Sequence, residues 1–102
     1  MIDELFAALP GQYVPGSITE PKSYYFSIGD SKKTLKLDSE RAVVEDGKTL
    51  DSADCVCKTS AEFFTRIWQD GYRPGVFDFM SGKIKSNDPA ALETLLRCFG
   101  KA

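Results

Sequence analysis

Residues 53–85 read ADCVCKTSAEFFTRIWQDGYRPGVFDFMSGKIK, and the reading of this stretch decides the fold. Ala53 to Lys58 fits a strand with Cys55 and Cys57 on one face and Val56 on the other. Thr59 and Glu62 stand at capping-box spacing, with Ser60 an alternative N-cap, so a helix is predicted to begin here. Phe63, Phe64, Ile67 and Trp68 give that helix a broad apolar face, and Asp70-Gly71 stops it. Arg73-Pro74-Gly75 makes a turn, after which Val76 to Met80 fits either one more helical turn or an extended segment. Ser81-Gly82 interrupts the chain, and Lys83 to Ser86 reads as a strand with Ile84 inward.

Outward from this stretch, the C-terminal side holds a helix capped by Asn87 or Asp88, with Pro89 at its first position. Leu92, Leu95, Leu96 and Phe99 line one side of it, and Gly100 closes it. On the N-terminal side, Ile2, Leu5, Phe6 and Leu9 have helical spacing in a segment Met1 to Leu9 that stops before Pro10-Gly11. Residues 10–22 are rich in proline and glycine and are expected to form a loop. From Ser23 the period is two, with Tyr24, Phe26 and Ile28 pointing one way; Lys33 to Asp38 and Ala42 to Glu45 are two further strands. Sequential antiparallel pairing is the economical topology. The expected class is α+β: a single five-stranded, mainly antiparallel sheet covered on one face by helices.

A length of 102 residues fits one domain, 1–102, with one core. With 42% hydrophobic and 27% charged residues, the composition is that of an ordinary globular protein, not a disordered or fibrous one. A net charge of -2 offers no basic excess for phosphate neutralisation, so no nucleic acid is expected as partner. No apolar run approaches a bilayer span, and Asp3 and Glu4 stand where a secretory signal carries basic residues. Three cysteines, an odd number, point to a reducing cytoplasm with the thiols acting as small hydrophobes.

Residues suited to bond breaking are missing. The chain has no histidine, which removes the commonest general base and every Ser-His or Cys-His nucleophile. Asp3, Glu4, Asp51, Asp54, Asp70 and Asp78 are expected to be solvated, and no Gly-Lys pair has P-loop spacing. Cys-Val-Cys is not the Cys-x-x-Cys of redox helices, and without further ligands it makes no metal site. Neither a catalytic residue nor a cofactor is expected. What remains is a surplus of large apolar side chains: Phe63, Phe64, Ile67, Trp68, Phe77, Phe79, Met80, Leu92, Leu95, Leu96 and Phe99. Periodicity alone leaves open whether they fill a core or line a cavity, since both demand the same apolar face.

Ala53-Asp54-Cys55, the capped helix with Phe63 or Phe64, Arg73-Pro74, the stretch Phe79 to Lys85 and the apolar closing helix follow one another in a familiar order. In that order they resemble the lipid-binding domain of the sterol carrier protein type 2 family, over about the last half of the chain. The resemblance implies a sterol-carrier-protein-like fold with an apolar tunnel that binds, and in some members transfers, fatty acids, acyl chains, sterol-like or prenyl lipids without covalent chemistry. The lining it implies is drawn from Phe63, Ile67, Trp68, Phe77, Phe79, Met80, Leu92, Leu95, Leu96 and Phe99, with Lys83, Lys85, Arg97 and Lys101 near an acidic headgroup. It also implies a lipid ligand and transient contact with membranes or lipid-handling enzymes, by a monomer or weak homodimer, with the last helix as gate. The alternative role is an accessory or scaffold domain presenting prenylated quinone intermediates or binding protein partners. Ser86 to Pro89 cut the fifth strand short, so the tunnel is expected to be smaller or open at that end, and Gly100-Lys101-Ala102 is no Ser-Lys-Leu peroxisomal address. A stand-alone bacterial member is the form implied.

Overall fold

The computed structural model describes residues 2–101; Met1, where the first expected helix begins, and Ala102 lie outside them. The elements run α1 (Ile2–Ala7), α2 (Leu9–Gln12), β1 (Lys22–Ile28), β2 (Ser31–Leu37), β3 (Ala42–Asp46), β4 (Cys55–Thr59), α3 (Ala61–Asp70), α4 (Val76–Met80), β5 (Ile84–Ser86) and α5 (Pro89–Cys98). The five strands form one sheet in the order β3-β2-β1-β4-β5. Its class is α+β, with antiparallel pairing everywhere except at the centre.

That centre corrects the expected topology. β4 does not follow β3 as an antiparallel neighbour; it lies parallel to β1, with Tyr24 opposite Cys55 and Phe26 opposite Cys57. Parallel neighbours require a crossover, and here residues 47–54 carry the chain past β2 and β1. The crossover packs under the face opposite the helices: Thr34 Oγ1 donates to the Gly47 carbonyl at 2.7 Å and accepts from the Thr49 N–H at 3.2 Å, and the Lys48 ammonium lies 5.7 Å from the Tyr25 ring centre. These contacts leave Thr34 fully buried on the face that alternation assigns to solvent.

The other face carries the core. Tyr24, Phe26 and Ile28 point into it from β1, joined by Leu35 and Leu37 of β2, Cys55 and Cys57 of β4, and Ile84 of β5. Phe6 of α1 meets Phe26 edge-on at 5.3 Å and stacks on Phe64 of α3 at 5.5 Å; Phe64 in turn stacks on Trp68 at 5.8 Å. Trp68 meets Phe99, at the end of α5, at 5.4 Å. Aromatic contacts of this kind add to the free energy of area burial itself.

Helix ends follow their capping residues. Ser60, not Thr59, caps α3 by accepting from the Phe63 N–H at 3.1 Å, and Gly71 ends it in the left-handed region at φ 74°. Asp88 caps α5 through the Ala91 N–H at 3.2 Å. At the N-terminus the expected stop before Pro10 is replaced by α2, which holds Pro10 in its first turn, where the missing N–H has no intrahelical partner to lose. The remainder of the proline-rich segment is irregular but tied down, with the Tyr13 hydroxyl donating to the Asp38 carbonyl and the Val14 N–H to the Cys98 carbonyl at 2.8 Å.

Two buried polar contacts fix the helical layer. Lys33 is 7% exposed, with its ammonium paired to Asp3 of α1 at 2.8 Å and to Asp46 of β3. Hydrogen bonds that it donates to the Asp3 and Asp46 carboxylates keep it charged by raising its pKa, so the helix is latched to the sheet by a doubly paired cation. The Tyr24 hydroxyl donates to the Ala91 carbonyl at 2.8 Å, joining the central strand to the first turn of α5. Tyr24→Phe is expected to lower stability by about 1–1.5 kcal/mol in urea denaturation, and to speed amide exchange in α5 more than in the sheet.

Candidate apolar cleft

An apolar cleft of about 540 Å³ lies between α3 and α5. Its floor is Phe26, Cys57 and Ile84, one residue from each of the three neighbouring strands β1, β4 and β5. One wall is Phe64, Ile67 and Trp68, recurring along α3 at zero, three and four. The opposite wall is Leu92, Leu95 and Leu96 of α5, with Pro89 and Ala90 at the exposed start of that helix. Pro74 and Phe79 bound one end, and Arg73 and Glu93 supply the charged rim. Behind Phe64 and Trp68 stand Phe6 and Phe99, so the ring column backs the cleft on the α1 side. The space is thus an open-sided slot within the roughly 300–1,000 Å³ range of small-molecule sites.

Of the residues expected in the lining, Ile67, Trp68, Phe79, Leu92, Leu95 and Leu96 come together here. Phe63 turns away to meet Tyr72 edge-on at 5.5 Å, and Phe99 is packed between Tyr13 and Trp68. Phe77 and Met80 project into solvent, 85% and 79% exposed. The lining also takes in Phe26, Cys57, Phe64 and Ile84, which the alternation of the strands and the i, i+3, i+4 set on α3 had marked as inward without distinguishing floor from core.

The floor is electrically neutral. Burial pushes the Cys57 thiol up to about 12 and raises the thiols of Cys55 and Cys98; burial likewise raises Tyr24 beyond its ordinary range. A thiolate is disfavoured at each position, which is the reverse of a redox or nucleophilic cysteine. Among the described residues, no three His, Cys, Asp or Glu side chains cluster to hold a metal ion, and no helix is long and apolar enough to cross a membrane.

Asp78 departs from its expected solvated setting. It is 7% exposed on α4, and its Oδ2 accepts from the Tyr72 hydroxyl at 2.6 Å and the Gly75 N–H at 2.9 Å. The Tyr72 hydrogen bond, then that of Gly75, lowers its pKa. One carboxylate therefore ties the turn after α3 to the short helix at the end of the cleft.

No family model matches this sequence, and no curated protein does. Solved structures share its fold. The stereoselective inverting sec-alkylsulfatase Pisa1 from Pseudomonas sp. superposes with a TM-score of 0.77 at 16% identity over 98% of this chain, which spans 16% of the length of that enzyme. The ubiquinone synthesis protein UbiJ-SCP2 has a TM-score of 0.59 at 14% identity, covering 76% of this chain and 64% of its own. Palmitated sterol carrier protein 2 like 2 from Aedes aegypti has a TM-score of 0.51 at 17% identity, covering 93% and 86%. The chain has the sterol carrier protein type 2 fold.

Two outcomes follow for the polar and thiol groups. Ellman's reagent at neutral pH is expected to leave the folded protein unmodified and to titrate 3 cysteines per chain in denaturant. Because the Asp78 pKa is lowered on folding, its contribution to stability is present above the unfolded carboxylate value of about 3.9 and is lost as pH falls through the folded value. Amide protection in α4, taken relative to the intrinsic exchange rate at each pH, should fall across that acid window in the wild type. In Asp78→Asn, protection there should already be low at neutral pH and nearly independent of acid.

Proposed function

We propose that residues 1–102 act as one sterol-carrier-protein-like domain that binds lipids noncovalently in the cleft between α3 and α5 and transfers them. The observation that carries this reading is the lining: Ile67, Trp68, Phe79, Leu92, Leu95 and Leu96 bring the apolar faces of α3, α4 and α5 together along one cleft with charge only at its rim. A single acyl or alkyl chain is the favoured ligand. It suits an open slot with a neutral floor and charge only at the rim, and it agrees with the palmitated state of the Aedes aegypti protein. Burial of a sixteen-carbon chain contributes on the order of 10 kcal/mol at about 0.8 per methylene, before the cost of immobilising chain and protein is subtracted. Selection by such a slot is by length and shape, so sterol-like and prenyl chains are weaker alternatives.

A second reading has its own support. Nearly all of this chain superposes on 16% of a sec-alkylsulfatase, so the same fold occurs as a minor part of an enzyme named for an alkyl substrate. In that reading the domain presents a chain-bearing compound to a catalytic partner, and UbiJ-SCP2 suggests prenylated quinone intermediates as another cargo. Chemistry then belongs to the partner. Chain transfer between donor and acceptor vesicles by the isolated protein supports the carrier; retention of the chain until an enzyme is added supports presentation.

Trp68 is the one tryptophan of the sequence and lines the cleft, which makes it a built-in reporter. Titration with palmitate is expected to give a saturable change in its emission intensity at about one equivalent, with a raised thermal midpoint. Leu92→Asp places a charge in the wall and should weaken binding at least about tenfold. An unchanged Trp68 spectrum and unchanged midpoint, together with a bare protein in native mass spectrometry, would overturn the reading.

A further inference from the structure

Three strongly exposed apolar side chains gather on α4. Val76, Phe77 and Met80 are 75%, 85% and 79% exposed, all on one five-residue helix. Large apolar groups grouped in water in this way mark an interaction surface. Their outward aim is held by the inward one of Asp78, whose bonds to Tyr72 and Gly75 fix the rotation of the helix. Tyr72 is also sandwiched, with Phe63 edge-on to its ring and the Arg66 guanidinium 4.7 Å from its centre.

Next to α4 the surface is hollowed into a second cavity of about 550 Å³ with a different character. Lys58, Arg66, Lys83 and Lys85 line it, and Glu62 is the one carboxylate in that lining. The chain as a whole carries -2, so these cations are concentrated against the general balance. Lys83 follows Met80 by three residues, and Ser81 and Gly82 between them form the turn out of α4. The Lys83 N–H donates to the Asp78 carbonyl at 3.0 Å and Arg66 lies over Tyr72, the partner of Asp78, so the cationic hollow adjoins α4.

We propose that this surface, α4 with the hollow lined by Lys58, Arg66, Lys83 and Lys85, docks the protein on a bilayer bearing anionic headgroups. Phe77, Met80 and Val76 insert among the acyl chains while the cations meet phosphate at the headgroup level. A protein partner fits less well. Stable protein interfaces bury about 800 Å² on each side with matched shape, whereas α4 offers three apolar side chains on a single protruding turn, which a fluid bilayer accepts without a complementary pocket. Phe79, on the same helix, faces the apolar cleft, so docking by α4 brings the end of the cleft to the membrane. The docking surface rests on exposure and charge alone and stands whether or not the cleft carries a lipid.

The test is co-sedimentation of the full chain with vesicles of phosphatidylcholine, or of phosphatidylcholine and phosphatidylglycerol in equal parts. The protein is expected to sediment with the mixed vesicles, to remain in solution with phosphatidylcholine alone, and to be released by salt. Phe77→Ser/Met80→Ser should lower its affinity for mixed vesicles at least about tenfold with little change in thermal midpoint, since both side chains lie in water in the free protein. Lys83→Gln/Lys85→Gln should weaken binding and flatten its salt dependence. Wild-type protein that stays in solution with both vesicles would overturn the proposal, as would either double variant binding like the wild type. Concentration-dependent self-association that Phe77→Ser/Met80→Ser abolishes, without vesicle binding, would assign α4 to a protein interface instead.

Discussion

Phe26 is the residue on which the layers of this protein converge. It sits at 1% exposure in the central strand, paired to β2 on one side and to β4 on the other. Its ring meets Phe6 of α1 and Phe64 of α3, so strand, N-terminal helix and α3 share one contact point. It also forms part of the cleft floor. The same side chain thus belongs both to the ring cluster and to the base of the cleft. Cys57, opposite it on β4, is buried beside it in that base.

Around that point the interior is asymmetric. Toward α1 the rings of Phe6, Phe64, Trp68 and Phe99 pack in succession, and Lys33 pairs with Asp3 beneath them. Toward α4 and the start of α5 the packing thins to Phe79, Pro74 and Pro89, and the interior opens. Polar groups do the positioning where apolar packing is sparse. Asp78 holds α4 through Tyr72 and Gly75, and Tyr24 holds the first turn of α5 through the Ala91 carbonyl.

Much of this was legible in the sequence, and what was not has identifiable physical causes. The inward row Tyr24, Phe26, Ile28 and the paired faces of Cys55 and Cys57 follow from a period of two, and the end of α3 from Gly71, while at its start the sequence offers both Thr59 and Ser60 and only the structure selects Ser60. Strand alternation says which face is buried but not which strand lies alongside, so the parallel pairing of β1 and β4 depends on where residues 47–54 pack, a tertiary matter. In the cleft, Ile67, Trp68 and the α5 leucines were readable from helical spacing. Phe63 and Phe64 were not separable, because adjacent residues on a helix differ by about 100° and both directions are buried here. Phe77 and Met80 were misplaced for a related reason: one turn of helix has no periodicity to read, and its rotation is set by Asp78, a carboxylate that composition assigns to water.

The ring column behind Phe64 and Trp68 has a kinetic meaning. In the proposed carrier, the rings stacked behind Phe64 and Trp68 would close the α1 side of the slot, so a flexible tail lodged there would leave only on the side away from them. Departure would then require wetting its carbons, and at about 0.8 kcal/mol per methylene every added carbon would lengthen the dwell time roughly fourfold. Under the proposed function, the architecture would work as a molecular ruler in time, holding long tails and shedding short ones, without a single polar group devoted to measuring them.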